Sequence, residues 1–199
     1  MIRSRRLPAM AVLGIVLGLA APAFASEPQA RNVSAPVNLC EREMIAASAR
    51  TGVPLGVLYA VGLTESGSAG SMRPYALNIA GRTVQPARVD EAIAIVRREQ
   101  KRGVRLIDVG CMQVNLHYHR DAFTSLKAMF DPALNVAYAA QFLKRLHARH
   151  GTWSMAVARY HAGHDNNVAQ KRYVCSVIRR MVRSGFGKMT PQAASFCQT

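Results

Sequence analysis

Carboxylates are scarce in this chain. Only 11 of its 199 residues are Asp or Glu, against 26 Lys and Arg, and the formal charge is +15. Few residues are therefore available for a paired-carboxylate site. The positive balance favours anionic partners: cell-wall polymer, a membrane surface or nucleic acid. Cysteine is also sparse, with Cys40, Cys111, Cys175 and Cys197 alone. Their spacings lack the close Cys or His pairs of a zinc site. An even count permits disulfides in an oxidising compartment, and three pairings are open. Chain ends in compact domains tend to lie close together, so Cys40–Cys197 is the expected bridge, with Cys175 the rival partner. No apolar run reaches the roughly 20 residues of a membrane span. Internal repeats and sustained alternating strands are absent too.

Half of the residues are hydrophobic, enough for a sizeable core in one domain. The first 25 residues read as a secretory signal peptide. Arg3, Arg5 and Arg6 precede an apolar stretch from Ala9 to Ala21, and Ala23-Phe24-Ala25 is a small-x-small cleavage site. A periplasmic location follows, with no stable membrane span after cleavage. For an exported basic protein the wall is the simplest anionic partner. Residues 26–37 are polar with two prolines and form a flexible lead-in to a domain over 38–199.

Helix signals dominate that domain. Asn38 with Glu41 reads as a capping box for a helix from Leu39 to Arg50, its inner face Cys40, Met44 and Ala47. Pro54 suits the first position of a second helix ending near Ser66. Turn residues from Gly67 to Pro86 predict an irregular stretch or a short hairpin. Val89 to Arg102 reads as a third helix, with acids first and bases last. Val104 to Ile107 suggests a short strand. Asp131-Pro132 opens a helix to His150, Trp153 to Ala162 another ended by Gly163, and Arg172 to Arg183 a last long one. The fold class is mainly α, short helices around one core with minor β content.

One carboxylate stands out. Leu55, Leu58, Tyr59 and Gly62 recur at helical spacing, and Glu65 falls on the same stripe. Ionising a carboxylate carried inward by an apolar face is costly, which suits a general acid. The plainer alternative is an inert carboxylate at a fraying helix end.

Four segments then follow in order: Glu65-Ser66, Gly110-Cys111-Met112-Gln113, Arg159-Tyr160-His161-Ala162-Gly163, and Tyr173-Val174. Together they resemble the soluble lytic transglycosylase (SLT) family of lysozyme-like, goose-type fold, with its E-S, G-L-M-Q, A-Y-N-A-G and late Tyr motifs. The resemblance spans roughly Leu39 to Arg183. Cys111 stands where the family usually has Leu, and is expected to pack there as a small buried hydrophobe. Arg159 replaces Ala and His161 replaces Asn. The stretch between Glu65 and Gln113 is longer than usual and resembles the branches found with secretion systems and flagella, which would be its partners.

The resemblance implies a peptidoglycan lytic transglycosylase that needs no cofactor or metal. Glu65 is the expected single acid/base, cleaving the MurNAc–GlcNAc β-1,4 bond without water to leave 1,6-anhydro-MurNAc ends. Ser66, Met112, Gln113, Tyr160, His161 and Tyr173 are the expected substrate-side residues. Asp108 is expected to orient the turn before Gly110, and as a second carboxylate it would favour a goose-type hydrolase instead. A non-catalytic wall-binding module is a further alternative. The pairs His117-x-His119 and His161-x-x-His164-Asp165 lack the third spaced ligand of a metal motif. The basic stretch from Lys171 to Lys188 reads as the solvated face of an amphipathic helix rather than a nucleic-acid surface.

Overall fold

The computed structural model describes residues 38–68, 70–162 and 167–198. The signal peptide and lead-in expected over 1–37, together with Gly163, His164 and Asp165, lie outside the described residues. Nine helices and six strands follow in order among the described residues: α1 (Leu39–Thr51), α2 (Leu55–Ser66), β1 (Gly67–Ser68), β2 (Ser71–Met72), β3 (Leu77–Ile79), β4 (Arg82–Val84), α3 (Val89–Lys101), β5 (Ile107–Val109), β6 (Val114–Asn115), α4 (Leu116–His119), α5 (Leu126–Met129), α6 (Pro132–His150), α7 (Trp153–Ala162), α8 (Asn167–Arg183) and α9 (Pro191–Gln198). The domain is mainly α and lysozyme-like, with a small antiparallel sheet. No described helix is long and apolar enough to cross a membrane.

α2 lies at the centre. It packs on α1 and α8, α1 packs on α6, and α7 joins α6 to α8. Val57, Leu58, Ala60, Val61, Gly62, Leu63 and Ser66 are all buried. An apolar stripe was expected here; the helix is instead apolar almost all round, as a core helix must be. Gly62 allows a close approach. A Cβ there would lie 2.3 Å from the Met44 methyl and 2.7 Å from the Met72 sulfur. Segments from α1 and β2 thus converge one turn before Glu65.

The caps follow local chemistry. Asn38 accepts from the Cys40 N–H at 2.8 Å and ties α1 to β2 by donating to the Met72 carbonyl at 2.8 Å. Glu41 does not complete the expected capping box; its carboxylate accepts from the Tyr59 hydroxyl at 3.2 Å. Pro54 occupies the cap position just before α2 rather than its first turn. Asp131 caps α6 through the Leu134 N–H at 3.0 Å, as its sequence predicts. α8 begins at Asn167, earlier than the expected Arg172.

The stretch expected to be irregular or a short hairpin contains two hairpins. β1 pairs with β2, and β4-β3-β5-β6 form an antiparallel sheet. The anticipated strand from Val104 appears at Ile107–Val109, because Gly103 turns left-handed after α3 and residues 104–106 carry the chain back to β3. Leu77, Ile79, Ile107, Val109 and Val114 are buried. Between them Asn78, Asp108 and Asn115 stand opposite one another in register. Period-two alternation therefore puts one polar row on the other face of this sheet.

The disulfides correct the expected pairing. Cys40 bonds to Cys111 across 71 residues, and Cys175 bonds to Cys197 across 22. α9 docks on α8, so Cys197 meets Cys175 and not the start of α1. Cys111 is a cross-link rather than a small hydrophobe, tying the start of α1 to the Gly110 segment.

Candidate active site

The sheet and the helices meet along a cavity of about 740 Å³. Glu65, Asn78, Asp108, Gln113, Asn115, Tyr118, His119, Tyr138, Phe142, Arg159, Tyr160 and His161 all line it. The polar row of the sheet forms one wall and an aromatic cluster another. Tyr138 stands 5.0 Å from Phe123, and Phe142 stands 5.6 Å from Tyr160, between ring centroids.

Glu65 closes α2 with its side chain 14% exposed. The Tyr173 hydroxyl on α8 donates to its Oε1 at 2.5 Å. His161 Nδ1 on α7 lies 3.7 Å from the same oxygen. The His161 ring stacks on Tyr173, centroids 4.1 Å apart and planes 3° from parallel. Burial first, then the Glu65 charge, holds the Tyr173 hydroxyl well above the usual phenol range. It remains a neutral donor at any working pH, which fixes one carboxylate oxygen and leaves the other for a ligand.

The Gly110–Gln113 turn is built against α6. Gly110 has φ +82°, and a Cβ on it would meet Asn135 at 2.6 Å. Asn135 is fully buried. It donates to the carbonyls of Val109 (3.0 Å) and Met129 (2.9 Å) and accepts from the Met112 N–H (2.9 Å). Gln113 adopts φ +46°, a left-handed conformation uncommon outside glycine. Its amide nitrogen donates to the Ala76 and Gly110 carbonyls, each at 2.9 Å. Only the Gln113 side-chain oxygen is left to meet a ligand, not the donor and acceptor together.

Two expected substrate residues face inward. Ser66 is buried, its hydroxyl 2.7 Å from the Cys111 carbonyl, which it donates to, and 3.2 Å from that of Gly62. Met112 is fully buried, near Gly62, and is not among the residues lining the cavity. Its carbonyl accepts from the Tyr160 hydroxyl at 2.7 Å. Both side chains hold the frame of the cavity.

Asp108, expected to orient the turn before Gly110, also lines the cavity. Burial above all pushes its carboxyl above the usual range; Asn115, donating at 2.6 Å, pulls the other way, and the Glu65 charge adds a smaller push upward. The two carboxylates line one cavity. The signal was present in the sequence as Ile-Asp-Val, a polar residue between two apolar ones, matching Leu-Asn-Ile on β3. His119 and Tyr138 were missed as groove residues; they hydrogen-bond at 2.8 Å. Among the described residues no group of three His, Cys, Asp or Glu stands close enough to hold a metal.

A model of the transglycosylase SLT domain matches residues 42–179, from α1 well into α8. The chain belongs to the SLT domain family. Neither curated proteins nor solved structures gave a match. SLT domain proteins are peptidoglycan lytic transglycosylases, which cleave glycosidic bonds outside the cytoplasm. The substrate class of this SLT domain is therefore peptidoglycan.

Proposed function

We propose that Glu65 is the single acid/base of a cut at the MurNAc–GlcNAc β-1,4 bond that consumes no water. The observation that carries this reading is the setting of Glu65. It is a largely buried carboxylate on a rigid helix, gripped at one oxygen by Tyr173 and open to a cavity large enough for sugar rings. Glu65 donates its proton to the bridging oxygen as the C1–O bond breaks. The substrate's own 2-acetamido oxygen shields the cation at C1. Glu65, now a carboxylate, takes the proton of the 6-hydroxyl while O6 closes on C1 to form the 1,6-anhydro ring. One C–O bond breaks, one forms, and the proton returns to Glu65.

Gln113, Tyr160 and His161 line the subsites around the cut, and the Tyr173 hydroxyl steadies the carboxylate through both steps. Residues 1–25 direct export, and the enzyme works in the periplasm, opening the wall locally for a secretion or flagellar assembly. Mass spectrometry of products from purified sacculi tests the reading. Anhydro-ended muropeptides are expected, and reducing ends would replace it with hydrolysis. Glu65→Gln should keep the fold and lose about a hundredfold or more in rate, the usual worth of a general acid.

One observation favours the hydrolase alternative. Asp108 shares the cavity with Glu65, and two carboxylates are what most glycosidases use. Its raised protonation range weakens it as the charged partner that hydrolysis needs.

A further inference from the structure

A second cavity, of about 340 Å³, opens beside the groove at the end of α3. Arg105, His117 and Arg120 line it together with apolar Leu116 and Leu126, and no Asp or Glu does. The two cavities share a wall. Arg105 lines this one and Leu106 the groove; His117 lines this one and Tyr118 the groove. Consecutive residues are under 4 Å apart along the chain, so the two spaces adjoin.

The charges here are organised. The Arg120 guanidinium is held by donating to the Phe123 carbonyl at 2.7 Å. Arg105 Nη2 stands 3.3 Å from His117 Nε2. Among the described residues, neither arginine forms an ion pair. The contrast with α3 is sharp: Arg98 and Arg102 there pair with buried Glu99 at 3.2 and 3.4 Å.

We infer that this basic cavity is a subsite for the carboxylates of the stem peptide borne by the muramic acid in the groove. The inference rests on the reading that glycan occupies the groove. A stem peptide leaves the sugar sideways from the lactyl group, over the groove wall. Guanidinium groups match carboxylates through paired N–H donors. The site thus selects glycan that still carries its peptides.

The test pairs two substrates with two proteins. Wild type and an Arg105→Gln/Arg120→Gln variant are assayed on intact sacculi and on glycan strands stripped of peptide by an amidase. The variant should raise KM about tenfold on intact strands, as loss of charge-assisted contacts implies, and flatten the salt dependence. On stripped strands the two proteins should match. Equal KM on intact strands would overturn the inference, and so would an equal loss on both substrates. NMR titration with free stem tetrapeptide decides the matter separately. Shifts at Arg105 and Arg120 are expected, and silence there counts against the subsite even if cleavage is robust. Peptide binding by a wild type that cleaves neither substrate would instead sink the cleavage reading alone.

Discussion

The Tyr173 hydroxyl meets Glu65 Oε1 at 2.5 Å, joining two residues 108 positions apart. α8 packs directly on α2, so the two are set by one helix interface rather than by loops. A hydrogen bond to a charged acceptor is worth about 1.5–3 kcal/mol. Tyr173→Phe keeps the ring, its stacking on His161 and its packing. The rate on sacculi should fall about tenfold or more, with the thermal midpoint nearly unchanged. An unaltered rate in a folded Phe variant would leave Glu65 positioned by α2 alone.

Much of this site was legible in the sequence because three of its four motifs sit on helices α2, α7 and α8, and the fourth forms the tight turn between β5 and β6. Glu65, Gln113, Tyr160, His161 and Tyr173 do come together. Side-chain direction was less legible. Ser66 and Met112 belong to the same motifs yet point into the core, and residue type does not say which side of a turn a side chain takes. The three-residue strands Leu77–Ile79 and Ile107–Val109 are too short for alternation to stand out, which hid the polar row containing Asp108. The cysteine pairing depends on which segments meet in space, and no spacing rule reports that. Nothing in the helix pattern of α6 marks Asn135 as the residue that holds the Gly110 turn.

That asparagine is the best place to test the turn. Asn135→Ala leaves the buried Met112 N–H and the Val109 and Met129 carbonyls each short of a partner. Orphaned buried groups cost about 1–3 kcal/mol apiece, and relaxation recovers part of the sum. A loss of about 3 kcal/mol in urea unfolding is expected, together with reduced activity because Gln113 follows the same turn. An Asn135→Ala protein of wild-type stability would mean that the turn holds itself.

The two disulfides should separate stability from catalysis. In the chain-entropy model the Cys40–Cys111 loop is worth about 4 kcal/mol and the shorter Cys175–Cys197 loop about 3 kcal/mol. Only the first reaches the Gly110 segment. Replacing Cys40 and Cys111 with Ser should lower both stability and rate. Replacing Cys175 and Cys197 should lower stability and leave the rate per folded molecule unchanged. Equal rates per folded molecule in both variants would show that the cross-link plays no part in shaping the site.

Asp108 decides between the two chemistries. In hydrolysis by a carboxylate pair, Asp108→Asn would abolish turnover; in the proposed route it only trims the groove wall. The amide oxygen of the variant can still accept from Asn115. Anhydro products should therefore persist in Asp108→Asn, within about tenfold of the wild-type rate, a loss small beside that of removing a catalytic acid. Complete loss of products from a folded variant would move this enzyme to the hydrolase reading.

His119 gives the fold an acid-side weakness. Burial lowers its protonation range below 6.5, and the Arg145 charge lowers it further. The unfolded chain then binds a proton more readily than the native one. Stability rises with pH wherever the unfolded state holds more protons. The contribution is therefore fully present above about pH 6.5, the ordinary His value, and is lost as pH falls through the lowered native value. His119→Gln removes the titrating group and keeps a side chain able to bond Tyr138. Thermal midpoints measured from pH 7.5 down to pH 5 should decline more steeply for wild type than for His119→Gln. Parallel curves would mean that other groups carry the acid sensitivity, and that the His119–Tyr138 contact tolerates an imidazolium as readily as a neutral ring.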